Sequence, residues 1–282
     1  MQKRMDPARP RPSSEAVRRV LTAAVFLPLL YVLIHDFGPL AFFILVAVCG
    51  MVAVGEFYRL RLGTAVWPWW GWLGVGATGL LLGSVQWPAL LSLHTVLLGT
   101  IIMALCMPLI TTKPLRESLA DGMVLVMGAL YLGLTLSYLL LIRALPDGVA
   151  LIFFVLLVTW AGDTGAYIVG KTMGRHPLAP VISPKKTYEG LAGGMVLAAA
   201  LAFAARSWFL PAMSPLDCLL LGIGLTFAGL VGDLAESAIK RGAGIKDSGA
   251  LIPGHGGMLD RLDSLLFTGP AFYYYVMFAI SG

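Results

Sequence analysis

The stretch from Ser237 to Ser264 reads SAIKRGAGIKDSGALIPGHGGMLDRLDS, and it separates two apolar runs near the end of the 282-residue chain. Its charged residues are Lys240, Arg241, Lys246, Arg261, Asp247, Asp260 and Asp263. Glycine lets a backbone approach a ligand closely, cations bind phosphate, and carboxylates bind hard divalent metals. The stretch therefore predicts a site for a metal-bound polyphosphate. The alternative is a solvated loop between two membrane helices.

The order of residues in this loop resembles the signature of the phosphatidate cytidylyltransferase (CDP-diacylglycerol synthase) family. The pattern is Ser237-x-Ile-Lys-Arg, four residues, Lys246-Asp247, then Pro253-x-His255-Gly-Gly-Met-x-Asp260-Arg-Leu-Asp263, with no departure over 27 residues. The resemblance implies transfer of CMP from CTP to phosphatidate, which gives CDP-diacylglycerol and pyrophosphate. It also implies a multi-pass protein of the inner (cytoplasmic) membrane that uses Mg²⁺, with K⁺ as a second cation. The oligomeric state stays open, a homodimer included.

Composition independently indicates a membrane protein. The chain is 58% hydrophobic and 12% charged, whereas soluble domains carry about 25% charged residues. Cys49, Cys106 and Cys218 all lie in apolar runs, which predicts inert thiols rather than a disulfide framework. The net charge of +5 is interpreted as membrane topology, not as affinity for nucleic acid.

Apolar segments recur along the chain at roughly the length of about 20 residues that a helix needs to cross a bilayer. They span 20–34, 39–57, 69–86, 88–110, 122–142, 149–170, 188–209, 216–235 and 264–281. We therefore predict an all-α polytopic membrane protein with about nine transmembrane helices. The glycines of Gly79-x-x-x-Gly83 and Gly190-x-x-x-Gly194 are expected to pack helices closely.

The positive charges predict the orientation of these crossings. With the N-terminus inside, 18 of the 20 Lys and Arg residues fall on the cytoplasmic side, and Arg143 and Arg206 remain near the outer ends. This places the charged loop at the cytoplasmic side and the C-terminus outside. The predicted organisation is a basic tail (1–19), N-terminal transmembrane helices (20–147) and a catalytic transmembrane region (148–282) that contains the loop 237–264.

Two further motifs share the cytoplasmic side. Asp163 interrupts the sixth apolar segment, where a carboxylate normally faces a cavity, a partner or a metal; an acid close to the helix end is the alternative. In Ser183-Pro-Lys-Lys-Thr, Ser183 is predicted as the N-cap of a helix with Pro184 at its first position. The helix N-terminus and Lys185 and Lys186 together predict an anion site, unless the lysines only anchor topology. This segment also resembles the family's Ser-x-Lys-Lys-Thr stretch.

The residues that lead into the charged loop recur at helical spacing. If the eighth helix continues through them, Asp233, Glu236, Ser237 and Lys240 share one face, and Asp260 and Asp263 are three apart in the next helix. Two helix ends could thus present carboxylates to a common metal. A salt-bridge network that includes Arg261 is the alternative.

These considerations give a definite set of candidate site residues. The predicted catalytic residues are Asp233, Asp260 and Lys240, and the predicted metal ligands are Asp233, Asp260, Asp263, Asp163 and Glu236, with Asp247 in support. The residues predicted to bind substrate are Ser183, Lys185, Lys186, Thr187, Ser237, Arg241, Lys246, His255, Gly256, Gly257 and Arg261. The expected partners are CTP, phosphatidate and membrane lipid, with no nucleic acid.

Functions of other classes make different demands on the sequence. An ion-coupled transporter is expected to carry charges along a path across the bilayer, whereas these acids crowd one end of the helices. A CDP-alcohol phosphotransferase is disfavoured because its Asp-x-x-Asp-Gly-x-x-Ala-Arg pattern is absent from the chain. A CTP-dependent lipid or polyprenol kinase stays open, and a structural scaffold would not need the charged loop.

Overall fold

The computed structural model describes residues 28–62, 69–245 and 257–280, and these residues are overwhelmingly helical. Within these ranges, six helices are long and apolar enough to cross a membrane. Many large apolar side chains face outward, among them Leu90 and Leu109, which are 83% and 81% exposed. An apolar exterior suits contact with lipid, and the protein is an all-α polytopic membrane protein, as the composition predicts.

The helices follow one another with short connections. They are α1 (Pro39–Leu62), α2 (Trp69–Gln86), α3 (Leu93–Ile110), α4 (Leu115–Gly128), α5 (Thr135–Ala144), α6 (Gly148–Met173), α7 (Tyr188–Trp208), α8 (Pro215–Gly242), α9 (Leu259–Leu262) and α10 (Leu265–Tyr275). Two π-helical segments, Ala129–Leu134 and Val276–Ile280, join α4 to α5 and extend α10. Strands β1 (Pro177–Ala179) and β2 (Ser183–Thr187) form an antiparallel hairpin between α6 and α7.

Helix bounds agree closely with the apolar segments from residue 39 onward. Segment 69–86 coincides with α2, whereas α3 begins only at Leu93, after a turn. The segment predicted at 122–142 is longer, because α4, the π-helical segment and α5 run together from Leu115 to Ala144. Neither α2 nor α10 is among the six spanning candidates, and most of segment 20–34 lies outside the described residues. A total of nine crossings therefore stays a prediction.

Two compact units divide the chain, and the boundary lies between Phe42 and Phe43. In the first unit, the described residues include a helical stretch at 28–35, where Tyr31 stacks on His35 at 5.3 Å between ring centroids. The second unit, Phe43–Gly282, contains all the described residues discussed below.

The start of α7 differs from the prediction. Ser183 and Pro184 belong to strand β2, and the N-cap of α7 is Thr187, whose hydroxyl accepts a hydrogen bond from Gly190 N at 3.1 Å. The prediction of an N-cap at Ser183 is therefore wrong. The residue before a proline favours extended backbone, and pairing with β1 stabilises that conformation here.

A second Ser-Pro pair shows what the first one lacks. Ser214 and Pro215 do begin a helix, α8, and Asp217 three residues after the cap completes a reciprocal capping box with Ser214. Three residues after Ser183 stands Lys186, which cannot accept a hydrogen bond from the cap backbone. The acid three residues after the serine therefore explains why Ser214 begins a helix whereas Ser183 does not.

Close helix packing brings α6 and α7 together beside the hairpin. A Cβ atom added at Gly190 or Gly194 would lie 2.8 or 2.7 Å from a backbone carbonyl oxygen of α6. The packing prediction is confirmed for this pair. It is wrong for Gly79 and Gly83, where an added Cβ would come no nearer than 3.8 Å to its neighbours among the described residues.

Candidate functional site

The carboxylates predicted on α8 lie on one face of that helix. Ser237 donates to Asp233 Oδ1 at 3.2 Å, and Lys240 Nζ lies 2.5 Å from Glu236 Oε2, one helical turn away. Asp233 lies nine residues before the end of α8, which is about 13 Å along the helix axis. The acids therefore lie within the helical body rather than at its tip.

A glycine brings Asp263 to this face. A Cβ atom on Gly232 would overlap the carbonyl oxygen of Asp263, so a larger residue here would push the chain between α9 and α10 away from α8. The result is a group of three carboxylates, Asp233, Glu236 and Asp263, each with one oxygen within 4.8 Å of the others. Acids from the body of α8 and from the turn after α9 therefore converge on a common point.

The close approach of these acids changes the titration of Asp263. Burial raises the pKa of its carboxyl to about 7, and the negative charges of Asp233 and Asp163 act in the same direction. Like charges that share a weakly polar site disfavour the ionised form unless a cation compensates them. The cluster of three carboxylates is thus suited to bind a cation.

Lys240 organises a second part of the site. Its Nζ lies 2.5 Å from Glu236 Oε2 and 2.6 Å from Asp260 Oδ1, and the Glu236 side chain is fully buried. Burial acts to raise the pKa of Asp260, but hydrogen bonds from Lys240 and from the Gly257 amide outweigh it and lower that pKa to about 2. Asp260 therefore stays ionised and holds Lys240.

The hairpin supplies the other lysine. Lys186 on β2 lies with its Nζ 2.6 Å from Asp233 Oδ2, so the strand that replaced the predicted helix start still delivers a cation to the acids. Asp163 on α6 also reaches the site, where its Oδ1 accepts a hydrogen bond from Ser264 at 3.4 Å. Four elements, α6, β2, α8 and the start of α10, thus meet at one point.

The remaining predicted residues have diverse positions. Lys185 is exposed, Ser183 pairs with Ala179 in the hairpin, and Thr187 serves as the N-cap of α7. Arg241 donates from Nε to the carbonyl of Ile182 at 3.5 Å, which links α8 to the hairpin.

Within the charged loop (237–264), the structure describes the beginning, 237–245, and the end, 257–264. The Gly257 amide binds Asp260, and Arg261 is exposed. The predictions for Lys246, Asp247, His255 and Gly256 lie outside the described residues. The metal role predicted for Asp260 stays a prediction, because among the described residues the three converging carboxylates include Asp263, which was also predicted as a ligand, but not Asp260.

One contact at the site was missed from the sequence. Glu56 on α1 is 5% exposed, and its Oε2 accepts a hydrogen bond from the backbone amide of Leu259, the first residue of α9, at 2.9 Å. Since α9 carries Asp260, Glu56 fixes the helix that holds one of the site acids. An acid inside an apolar segment was the available signal, as it was at Asp163.

The fold and the site define a polytopic membrane protein whose helices enclose a cluster of carboxylates and lysines. The chain belongs to the Cytidylyltransferase family, since the pattern of that family matches residues 17–279.

Individual relatives extend this similarity over different parts of the chain. A phosphatidate cytidylyltransferase of Bacillus subtilis is 37% identical over 262 residues, which cover 90% of this chain and 94% of the relative. One of Staphylococcus epidermidis is 42% identical over 155 residues, 55% of this chain and 59% of the relative. An uncharacterized protein of Escherichia coli, YnbB, is 43% identical over 134 residues, 48% of this chain and 45% of the relative.

Proposed function

We propose that this protein is a phosphatidate cytidylyltransferase of the inner membrane, which transfers CMP from CTP to phosphatidate and releases pyrophosphate. The observation that carries the proposal is the convergence of Asp233, Glu236 and Asp263 with Lys186 and Lys240 in a membrane protein of the Cytidylyltransferase family. The names of the relatives support the choice of phosphatidate as the acceptor.

The chemistry follows from the charges of the two substrates. A phosphomonoester has its second pKa near about 6, so the phosphate of phosphatidate is largely dianionic at pH 7 and needs no general base. One of its oxygens bonds to the α-phosphorus of CTP, and the bond from that phosphorus to the bridging oxygen of the β-phosphate breaks. Pyrophosphate leaves with that oxygen. The obstacle is repulsion between two anions, which positioning and cations reduce.

The lysines are suited to hold the phosphates. Lys186 and Lys240 both project from regular elements, and both are held in place by carboxylates at 2.5–2.6 Å. A lysine that already has an acidic partner keeps its charge and its orientation when a phosphate arrives. Lys185, on the exposed side of β2, would meet the outer phosphates of the nucleotide.

The cluster of three carboxylates, Asp233, Glu236 and Asp263, is compatible with Mg²⁺. Mg²⁺ is bound through carboxylate oxygens, and one oxygen from each of the three carboxylates lies within 4.8 Å of the others. We propose that Asp233 and Asp263 hold the ion, with Glu236 and Asp163 in support, while Asp260 orients Lys240. When bound, Mg²⁺ would neutralise and align the phosphates. The K⁺ ion stays a prediction from the family resemblance.

An assay with two separately labelled forms of CTP tests the proposal. The full-length protein in detergent is mixed with phosphatidate, Mg²⁺ and CTP labelled at either the α- or the γ-phosphate. Cytidylyl transfer puts the α-label into a lipid product and the γ-label into pyrophosphate. A CTP-dependent lipid kinase would instead put the γ-label into lipid, which would overturn the proposal in favour of that second class.

A further inference from the structure

Tyr131 is a buried polar residue that the chemistry described above does not use. It lies in the π-helical segment Ala129–Leu134 and is 7% exposed. Among the described residues, its hydroxyl has no hydrogen-bond partner. Most buried hydroxyl groups are paired, so an unpaired one needs a reason.

The surroundings of this hydroxyl point to the carboxylate site. Tyr131 lies within electrostatic range of Glu236, Asp263 and Asp233, which are the three converging acids. Its ring packs against Phe57 of α1, with 6.0 Å between ring centroids. Packing against Phe57 thus holds the side chain within electrostatic range of the acids, and among the described residues its hydroxyl donates a hydrogen bond to none of them.

The backbone around Tyr131 also departs from the regular helix. The segment is a π-helix between α4 and α5, and the hydroxyl of Thr135 donates to the Tyr131 carbonyl. Such π-helical turns in α-helices occur frequently at functional sites. Here the π-helical turn carries a tyrosine that lies within electrostatic range of acids about a hundred positions later in the sequence.

We propose that Tyr131 is a substrate-binding residue, whose hydroxyl donates a hydrogen bond to a phosphate oxygen of the substrate held at the carboxylate site. A neutral phenol is a good donor, and a phosphate oxygen is a strong acceptor. When a cation is bound, the carboxylate oxygens coordinate it. The substrate phosphate then supplies the hydrogen-bond acceptor that the Tyr131 hydroxyl lacks. The inference rests on the proposed function, and it extends the site into the N-terminal helices, beyond the catalytic region predicted at 148–282.

The test compares Tyr131→Phe with a matched control, Tyr58→Phe. Tyr58 is fully buried and also contacts Phe57, but its hydroxyl has a partner, since it donates to the carbonyl of Leu125 at 2.9 Å. The two variants remove the same group from adjacent buried positions. One group is predicted to act on the substrate and the other on the fold.

The two variants are expected to affect different quantities. Tyr131→Phe should lower kcat/KM for CTP by about 10- to 100-fold, as the loss of a hydrogen bond to a charged group does. Its Tm without ligand should stay at or above that of the unsubstituted protein, because no internal bond is lost. Tyr58→Phe should lower the Tm by about 2–4 °C and leave kcat/KM within about twofold.

Several outcomes would overturn the inference. Full kcat/KM in Tyr131→Phe would do so, and so would a fall in its Tm as large as that of Tyr58→Phe. If the unsubstituted protein does not turn over CTP and phosphatidate, the proposed function fails separately. The rise in Tm that Mg²⁺ and pyrophosphate cause then tests the phosphate contact directly. A smaller rise in Tyr131→Phe than in the unsubstituted protein supports the contact. An equal rise in the two proteins, or no rise in either, refutes it.

Discussion

The two lysines at the site meet different carboxylates, and this divides the site into two parts. Lys186 pairs with Asp233, which lies beside Asp263, whereas Lys240 lies between Glu236 and Asp260. The spacing of the acids predicted that α8 and the following helix would each contribute a ligand. A salt-bridge network was the alternative, and Asp260 does form such a bridge. The geometry favours Asp263 as the partner of Asp233 at a metal.

Substitution of the acids separates the two parts of the site. Asp233→Asn and Asp263→Asn should each lower turnover by about 10²–10³-fold, because each removes charge that stabilises the transition state. Both should raise the Mg²⁺ concentration required for half-maximal activity. The double variant should be little worse than either single one, as expected of residues that act as a unit. Initial rates over a Mg²⁺ titration measure these effects.

Asp260→Asn should behave differently from those two variants. Lys240 would lose one of its two acidic partners, so the Tm and the turnover should fall while the Mg²⁺ requirement stays the same. Glu117→Gln, an exposed carboxylate on α4, serves as the control and should match the unsubstituted protein. An equal shift in Mg²⁺ requirement for Asp233→Asn and Asp260→Asn would contradict this division of roles.

At the scale of elements, local sequence patterns identified most of the structure. Apolar runs of sufficient length became helices, since only a helix satisfies its own backbone in lipid. The hairpin was missed because a Ser-Pro pair is an ambiguous signal: it begins α8, where Asp217 completes the cap, but it forms a strand at Ser183. The deciding residue was three positions further along the chain.

Contacts between distant elements could not be predicted from local patterns. Glu56 and Leu259 are 203 positions apart, and nothing near Glu56 indicates its partner. Tyr131 lies in a segment that reads as a simple apolar helix, and its π-helical turn has no signature in the sequence. The acids and lysines of the site were found because they recur at helical spacing or match a family signature.

The bond from Glu56 to α9 should contribute to both stability and activity. Glu56→Ala removes a charged acceptor from a buried amide, a change of about 1.5–3 kcal/mol, and it should also lower turnover because Asp260 loses its orientation. Glu56→Gln keeps an acceptor oxygen and should restore most of the turnover. Thermal unfolding and kcat measure these effects. A Tm and kcat for Glu56→Ala equal to those of the unsubstituted protein would show that α9 needs no anchor.

At the scale of the whole molecule, several contacts bring the same ends of the helices together. Tyr58 near the end of α1 packs against Trp70 at the start of α2, with 5.4 Å between ring centroids. Tyr58 also binds Leu125 in α4, and its neighbour Glu56 binds α9. The end of α1, the start of α2, Leu125 of α4 and the start of α9 therefore lie on the side of the site. This arrangement requires α2 to lead away from that side.

The 18-to-2 division of cations predicts that the side of the site faces the cytoplasm, with the N-terminus inside and the C-terminus outside. α2 has 18 residues, about 27 Å of helix, which nearly matches a hydrocarbon core of about 30 Å, so it can serve as one of the nine predicted crossings. A reporter that is active only outside the cytoplasmic membrane should therefore be active when fused to the C-terminus and inactive when fused to the basic tail. A cytoplasmic reporter at the same two positions should give the reverse pattern, which controls for poor expression.

Equal activity at both ends would mean an even number of crossings. In that case α2 or the first apolar segment would not cross the membrane, and the assignment of the charged loop to the cytoplasm would rest on the cations alone.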